Sequence, residues 1–187
     1  MEVIHTALPE VKLIAPRVFG DTRGFFFESY NARTLADAGI TATFVQDNHS
    51  RSAQGVLRGL HYQITHAQGK LVRVTEGEVF DVAVDIRQNS PTFGQWVGEY
   101  LSATNQRMMW VPPGFAHGFL VVSDYATFLY KTTDYWVPDA ERCIRWDDPT
   151  LAIDWPLDRL ATAPQCSAKD QHGTALQHAE LFPAGAY

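Results

Sequence analysis

The chain has 187 residues, a formal net charge of −6 and two cysteines, and is long enough to bury a core without disulfide or metal staples. Its acidic balance argues against a nucleic-acid polymer as partner, because such binding rests on Lys and Arg neutralising phosphates. No apolar run is long enough to span a bilayer, and Glu2, Pro9, Glu10 and Pro16 break the first twenty residues, so neither membrane insertion nor secretion is expected.

No repeat, low-complexity tract or long linker divides the sequence, which predicts one domain over 1–187. In chain order, "NARTLADAG" (31–39) has the pattern of a short helix closed by Gly39. The run around His61, "RGLHYQ" (58–63), reads as a strand. "KLVRVTEGEVFDVAVDIR" (70–87) alternates on either side of Glu76-Gly77 and predicts a hairpin. Strands follow at 96–101, 107–111, 117–123 and 126–136, separated by Asn, Gly, Pro and Asp. Beyond Pro149 the chain is less regular. Cys143 and Cys166 lack zinc or disulfide-rich spacing and fit inert thiols in a reducing cytoplasm. Many short strands and few helices predict an all-β jelly-roll sandwich or barrel, in which small ligands bind in the mouth.

Two half-motifs are cupin-like. "PPGFAH" places Pro112, Gly114 and His117 as P-x-G-x-x-H, and Gly55 followed after five residues by His61 opens the other half. The next two ligand positions of a metal cupin hold Gln63 and Lys70. An ammonium cannot ligate a cation, so no metal is expected. Lys70 suits a different task, stabilising negative charge on a carbonyl oxygen while His61 removes a neighbouring C–H proton. Taken singly, His61 also reads as a structural strand histidine and Lys70 as a solvated strand end. Their joint arrival in one cupin cavity favours the chemical reading.

A longer series of blocks resembles the dTDP-4-dehydrorhamnose 3,5-epimerase family over nearly the whole chain. These include "FGDTRGFFFES" (19–29), "FVQDNHSRS" (44–52), "GVLRGLHYQ" (55–63), "GEVFDVAVDIR" (77–87), "PPGFAHGF" (112–119), "FLYKTTDY" (128–135) and "SAKD" (167–170). The resemblance implies a cofactor-independent, homodimeric cupin-fold isomerase acting on a dTDP-linked 4-keto-6-deoxysugar. It makes His61 the general base, Asp170 its orienting carboxylate, Lys70 the polariser of the ketone and Tyr130 the acid on the opposite face. His117 and Trp136 would line the sugar pocket, the latter where the family commonly has a second tyrosine. Arg23 and Arg58 would hold the diphosphate, Phe26 and Glu28 the thymine, and Gln46 and Asn48 would be polar contacts.

Strict alternation sets Arg58 and His61 on opposite strand faces, so a bulge at Gly59 is expected to align them. The replacement at Trp136 leaves a mono-epimerase of a related sugar as an alternative. A metal-dependent cupin and a non-catalytic sugar-nucleotide binding module stand further off.

Overall fold

The computed structural model describes residues 1–183 and 186. Two antiparallel sheets face one another. The larger contains β1 (Glu2–His5), β2 (Lys12–Ala15), β5 (Gln46–Ala53), β7 (Lys70–Glu76), β10 (Met108–Val111) and β12 (Tyr125–Thr132), in the order β1-β2-β10-β7-β12-β5. The smaller contains β6 (Leu57–Gln63), β8 (Glu78–Asp85), β9 (Trp96–Ser102), β11 (Phe115–Val121) and β13 (Glu141–Cys143), in the order β13-β6-β11-β8-β9. β3 (Phe19–Asp21) and β4 (Gly24–Phe26) form a separate two-stranded ribbon. This is the all-β jelly-roll arrangement predicted above.

The predicted hairpin over 70–87 is two strands in different sheets. β7 pairs with β10 and β12, whereas β8 pairs with β9 and β11. Only Gly77 separates them, too short a link for the two-residue turn of a tight hairpin. Its φ of +74° and its approach to the Tyr125 carbonyl leave no space for a Cβ, so the chain turns through a glycine from one sheet to the other. The predicted helix is present as α1 (Ala32–Asp37), where the Asn31 side chain accepts from the Arg33 and Thr34 amides. β5 escaped prediction because QDNHSRSA has no apolar face.

Period-two alternation gives each sheet two faces, and three apolar clusters use them. Val72, Val74, Phe128, Phe115, Phe119 and Val79 fill the space between the sheets. The outer face of the smaller sheet, with Leu60, Tyr62 and Val82, is covered by Trp155, Leu176 and Phe182 of the irregular C-terminal segment. On the larger sheet Leu71, Met108 and Trp110 pack under Leu35 and Ile40. The C-terminal segment is therefore a lid on one sheet, and it carries α2 (Ala168–Gln171) to the edge of β6.

Candidate active site

The inward-facing series change character toward one end of the sandwich. On β7 the inward residues run Val74, Val72, Lys70 and on β12 Ala126, Phe128, Tyr130, while on β11 His117 stands between Phe119 and Phe115 and on β8 Asp81 between Val79 and Ala83. Apolar packing gives way to titratable groups around a cavity of about 360 Å³, into which His61, Lys70, His117, Tyr130, Arg58 and Trp136 all face. An adjoining lobe adds Gln46 and Gln68 and shares His61, Lys70 and Tyr130.

A bulge brings Arg58 and His61 to the same cavity. On β11, His117 pairs with His61 and Phe119 with Arg58, so two residues of β6 stand opposite Gly118 alone. Leu57 and Leu60 both point into the outer cluster, which leaves Arg58 and His61 facing inward. Glycine is required here. Gly59 has φ +117°, and a Cβ on it would lie 2.6 Å from the Gly118 Cα.

His61 Nε2 lies 2.5 Å from Asp170 Oδ1. Asp170 is buried on α2, whose first turn is capped by Ser167 accepting from the Asp170 amide at 3.2 Å. Burial pulls the His61 imidazole below its ordinary value, against the opposing pull of Asp170, while Lys169 and Lys70 add to the depression. Burial works to raise Asp170, but its hydrogen bond and charge interaction with His61 prevail and hold it below the ordinary carboxylate value. Both directions describe one state: a neutral imidazole donating from Nε2 to a carboxylate, with Nδ1 free to accept a proton.

Lys70 is buried, and its ammonium makes no hydrogen bond or ion pair among the described residues. Burial pulls its pKa down to about 8, with Glu141 and Asp81 opposing. Tyr130 reaches the cavity from the larger sheet, opposite His61 of the smaller one. Burial chiefly, reinforced by Glu141, raises its phenol, so it carries its proton at neutral pH.

Three cavity-side groups were not singled out from the sequence. Asp81 Oδ1 accepts from His117 Nε2 at 2.9 Å, the carboxylate fully enclosed and the imidazole buried, making a second histidine–carboxylate pair beside the first. Its signal was present: a lone carboxylate inside "VFDVAV", whose neighbours are apolar on both faces. Glu141 and Lys169, an ion pair of 2.9 Å on the cavity wall, come from an edge strand and a short helix with no distinctive pattern.

Gln46, Asn48 and Trp136 line the cavity. Arg23, Phe26 and Glu28 do not. Arg23 and Phe26 lie on the β3–β4 ribbon around a separate surface hollow, Arg23 paired with Asp21, and Glu28 accepts from Asn31. The local fold explains the displacement: the ribbon belongs to neither large sheet, and its Phe25 and Phe26 are about two-thirds exposed.

His61, Cys143 and Asp170 form a histidine–thiol–carboxylate cluster, the donor set a metal would use among the described residues. Its chemistry fits protons better. The 2.5 Å His61–Asp170 contact is a hydrogen bond, shorter than two ligands of one ion approach each other. Burial pushes the Cys143 thiol up to about 12, so with no cation bound it stays protonated at neutral pH.

Fold and site thus define a cupin-type sandwich in whose cavity a histidine–carboxylate pair, a buried lysine and a tyrosine converge. The chain belongs to the dTDP-4-dehydrorhamnose 3,5-epimerase family, whose profile matches residues 5–178. It is 66% identical to the dTDP-4-dehydrorhamnose 3,5-epimerase of Pseudomonas aeruginosa, over 98% of this chain and all of that one. Identity to the Salmonella typhimurium enzyme of the same name is 57%, over 97% and 98% of the two chains. Among solved structures, the dTDP-6-deoxy-D-glucose-3,5-epimerase of Legionella pneumophila, in complex with dTDP-4-keto-L-rhamnose, superposes with a TM-score of 0.94 at 53% identity. That match covers 100% of this chain and 99% of the other.

Proposed function

We propose that this protein inverts carbons 3 and 5 of dTDP-4-dehydro-6-deoxy-D-glucose, yielding dTDP-4-dehydro-L-rhamnose for dTDP-L-rhamnose synthesis in the cytoplasm. The carrying observation is a His61–Asp170 pair and a Tyr130 phenol entering one cavity from opposite sheets, with an unpaired Lys70 ammonium in the same cavity on the strand beside that of Tyr130. His61 Nδ1 takes the proton from the carbon next to the ketone. The C–H electron pair forms a C=C bond to the carbonyl carbon and displaces the C=O π pair onto oxygen, where the Lys70 charge stabilises the enolate until reprotonation at carbon restores the ketone. Tyr130 then delivers its proton to the other face of that carbon, which inverts it. The cycle leaves an imidazolium and a phenolate, and exchange with solvent resets both before the second carbon reacts. No electrons are gained or lost, so the chemistry calls for no redox cofactor. Arg58, which shares the cavity, suits the diphosphate through its forked donors.

The same reading includes a homodimer. Arg23, Phe26 and Glu28 are suited to a nucleotide yet sit outside this chain's own cavity, on or beside an exposed aromatic ribbon. A second copy laying that ribbon over the cavity would bury the phenylalanines and bring the three residues to the thymidine diphosphate.

Incubation with the 4-keto sugar nucleotide in D2O tests the proposal. Deuterium is expected at both carbons 3 and 5. Label at one carbon alone would identify a mono-epimerase, and tight binding without label a binding module.

A further inference from the structure

Gln63 occupies the strand position where a metal cupin has its second histidine, and its amide is fully used. It is 3% exposed. Its Nε2 donates to the His66 carbonyl at 2.7 Å and to the Tyr135 carbonyl at 3.1 Å, and its Oε1 accepts from the Val137 amide at 2.7 Å. The last two partners are the residues on either side of Trp136. Trp136 itself is 56% exposed, yet it faces both lobes of the cavity. Its ring makes no aromatic or cation–π contact among the described residues. The backbone that carries it is held by Gln63 and by Gln46, whose Oε1 accepts from the Trp136 amide at 3.1 Å.

We infer that Gln63 is a positioning residue for substrate recognition: it fixes the backbone on both sides of Trp136 and thereby places the indole as a wall of the cavity. A buried amide is well suited to this. Removing it would leave two carbonyls and one N–H of a part-buried segment without their partner, which favours the one conformation that Gln63 satisfies. The inference rests on the cavity being the sugar-nucleotide site.

A double-mutant cycle tests it, read as the dissociation constant for dTDP-glucose, a 4-hydroxy analogue that cannot enolise, and as KM for the keto sugar. Trp136→Ala and Gln63→Leu should each weaken binding by roughly tenfold, the scale of one lost aromatic contact. In the Trp136→Ala background, Gln63→Leu should change binding by less than about twofold. Should Gln63→Leu fail to fold, Gln63→Glu, which keeps the acceptor for Val137 and loses both donations, takes its place in the cycle. Independent, multiplying effects would overturn the inference, as would a Gln63 variant that lowers Tm while binding normally. The cycle on a non-reacting analogue does not depend on turnover. Absent coupling beside normal deuterium exchange would therefore defeat this inference alone, and intact coupling without exchange would defeat the epimerase reading alone.

Discussion

His61 and Asp170 are separated by 109 residues in the chain and by 2.5 Å in space. The contact is made through the C-terminal lid, whose short capped helix α2 presents the carboxylate to the bulged strand β6. A carboxylate in that place selects the tautomer that leaves Nδ1 available and stabilises the imidazolium formed after proton abstraction.

Removing either partner should separate these contributions. His61→Asn is expected to lower turnover and deuterium exchange by roughly 10²–10⁴. Asp170→Asn should also lower turnover, and should move the acid limb of the rate profile to still lower pH, because the group holding the imidazole up has lost its charge. An Asp170→Asn enzyme with an unmoved acid limb would show that the carboxylate does not act through His61.

The pH dependence of kcat/KM follows from two opposed requirements. His61 must be neutral, and burial holds its pKa below the ordinary 6.5, so activity is lost on acidification only below that value. Lys70 must be charged, and with a pKa of about 8 it loses its proton as pH rises through that point. A bell with its alkaline limb near 8 is expected in stopped assays. Lys70→Arg, charged at every working pH, should abolish that limb at a reduced maximal rate.

Lys70 also carries a stability cost. Lowering its pKa from 10.5 to about 8 corresponds to roughly 3 kcal/mol against the folded, charged form. That penalty is complete below about pH 8. Between about 8 and 10.5 the unfolded chain keeps a proton that the folded chain has released, so stability rises with pH through that window. Lys70→Met should therefore raise Tm at neutral pH by several degrees while abolishing activity, and its advantage should vanish above the ordinary lysine value. Thermal melts at pH 7 and 10.5 measure both effects.

Complementation tests the ribbon. Phe26→Ala with Arg23→Ala removes what the ribbon would deliver, and His61→Asn removes the base. Each variant alone is expected to be inactive or nearly so. Mixed, exchanged copies should recover activity, because one cavity of each heterodimer combines an intact base with an intact ribbon. No recovery after confirmed subunit exchange would place Arg23 and Phe26 in the same copy as the base they serve.

Local pattern carried the fold class well. The strand at 96–101 and the helix at 31–39 follow from alternation and capping, which depend on neighbours in sequence. The 70–87 hairpin did not survive, because alternation within a strand says nothing about which strand lies beside it. β5 was illegible for the converse reason: its inward residues Gln46, Asn48 and Ser50 face the cavity, so the apolar face that marks a strand is missing where function needs it polar.

The amino-acid sequence by itself singled out His61 and Lys70, because the cupin half-motif spacing places both in one cavity, and the family resemblance added Tyr130. It also carried the bulge at Gly59, since glycine is the residue that a φ of +117° and a 2.6 Å backbone approach allow. Tertiary structure decided the rest: the Asp170 contact, the His117–Asp81 pair, the use of Gln63 as an anchor for Trp136, and the absence of Arg23, Phe26 and Glu28 from their own chain's cavity. Each depends on which segments the packing of two sheets and a C-terminal lid brings within hydrogen-bond reach. Distances along the chain do not encode that.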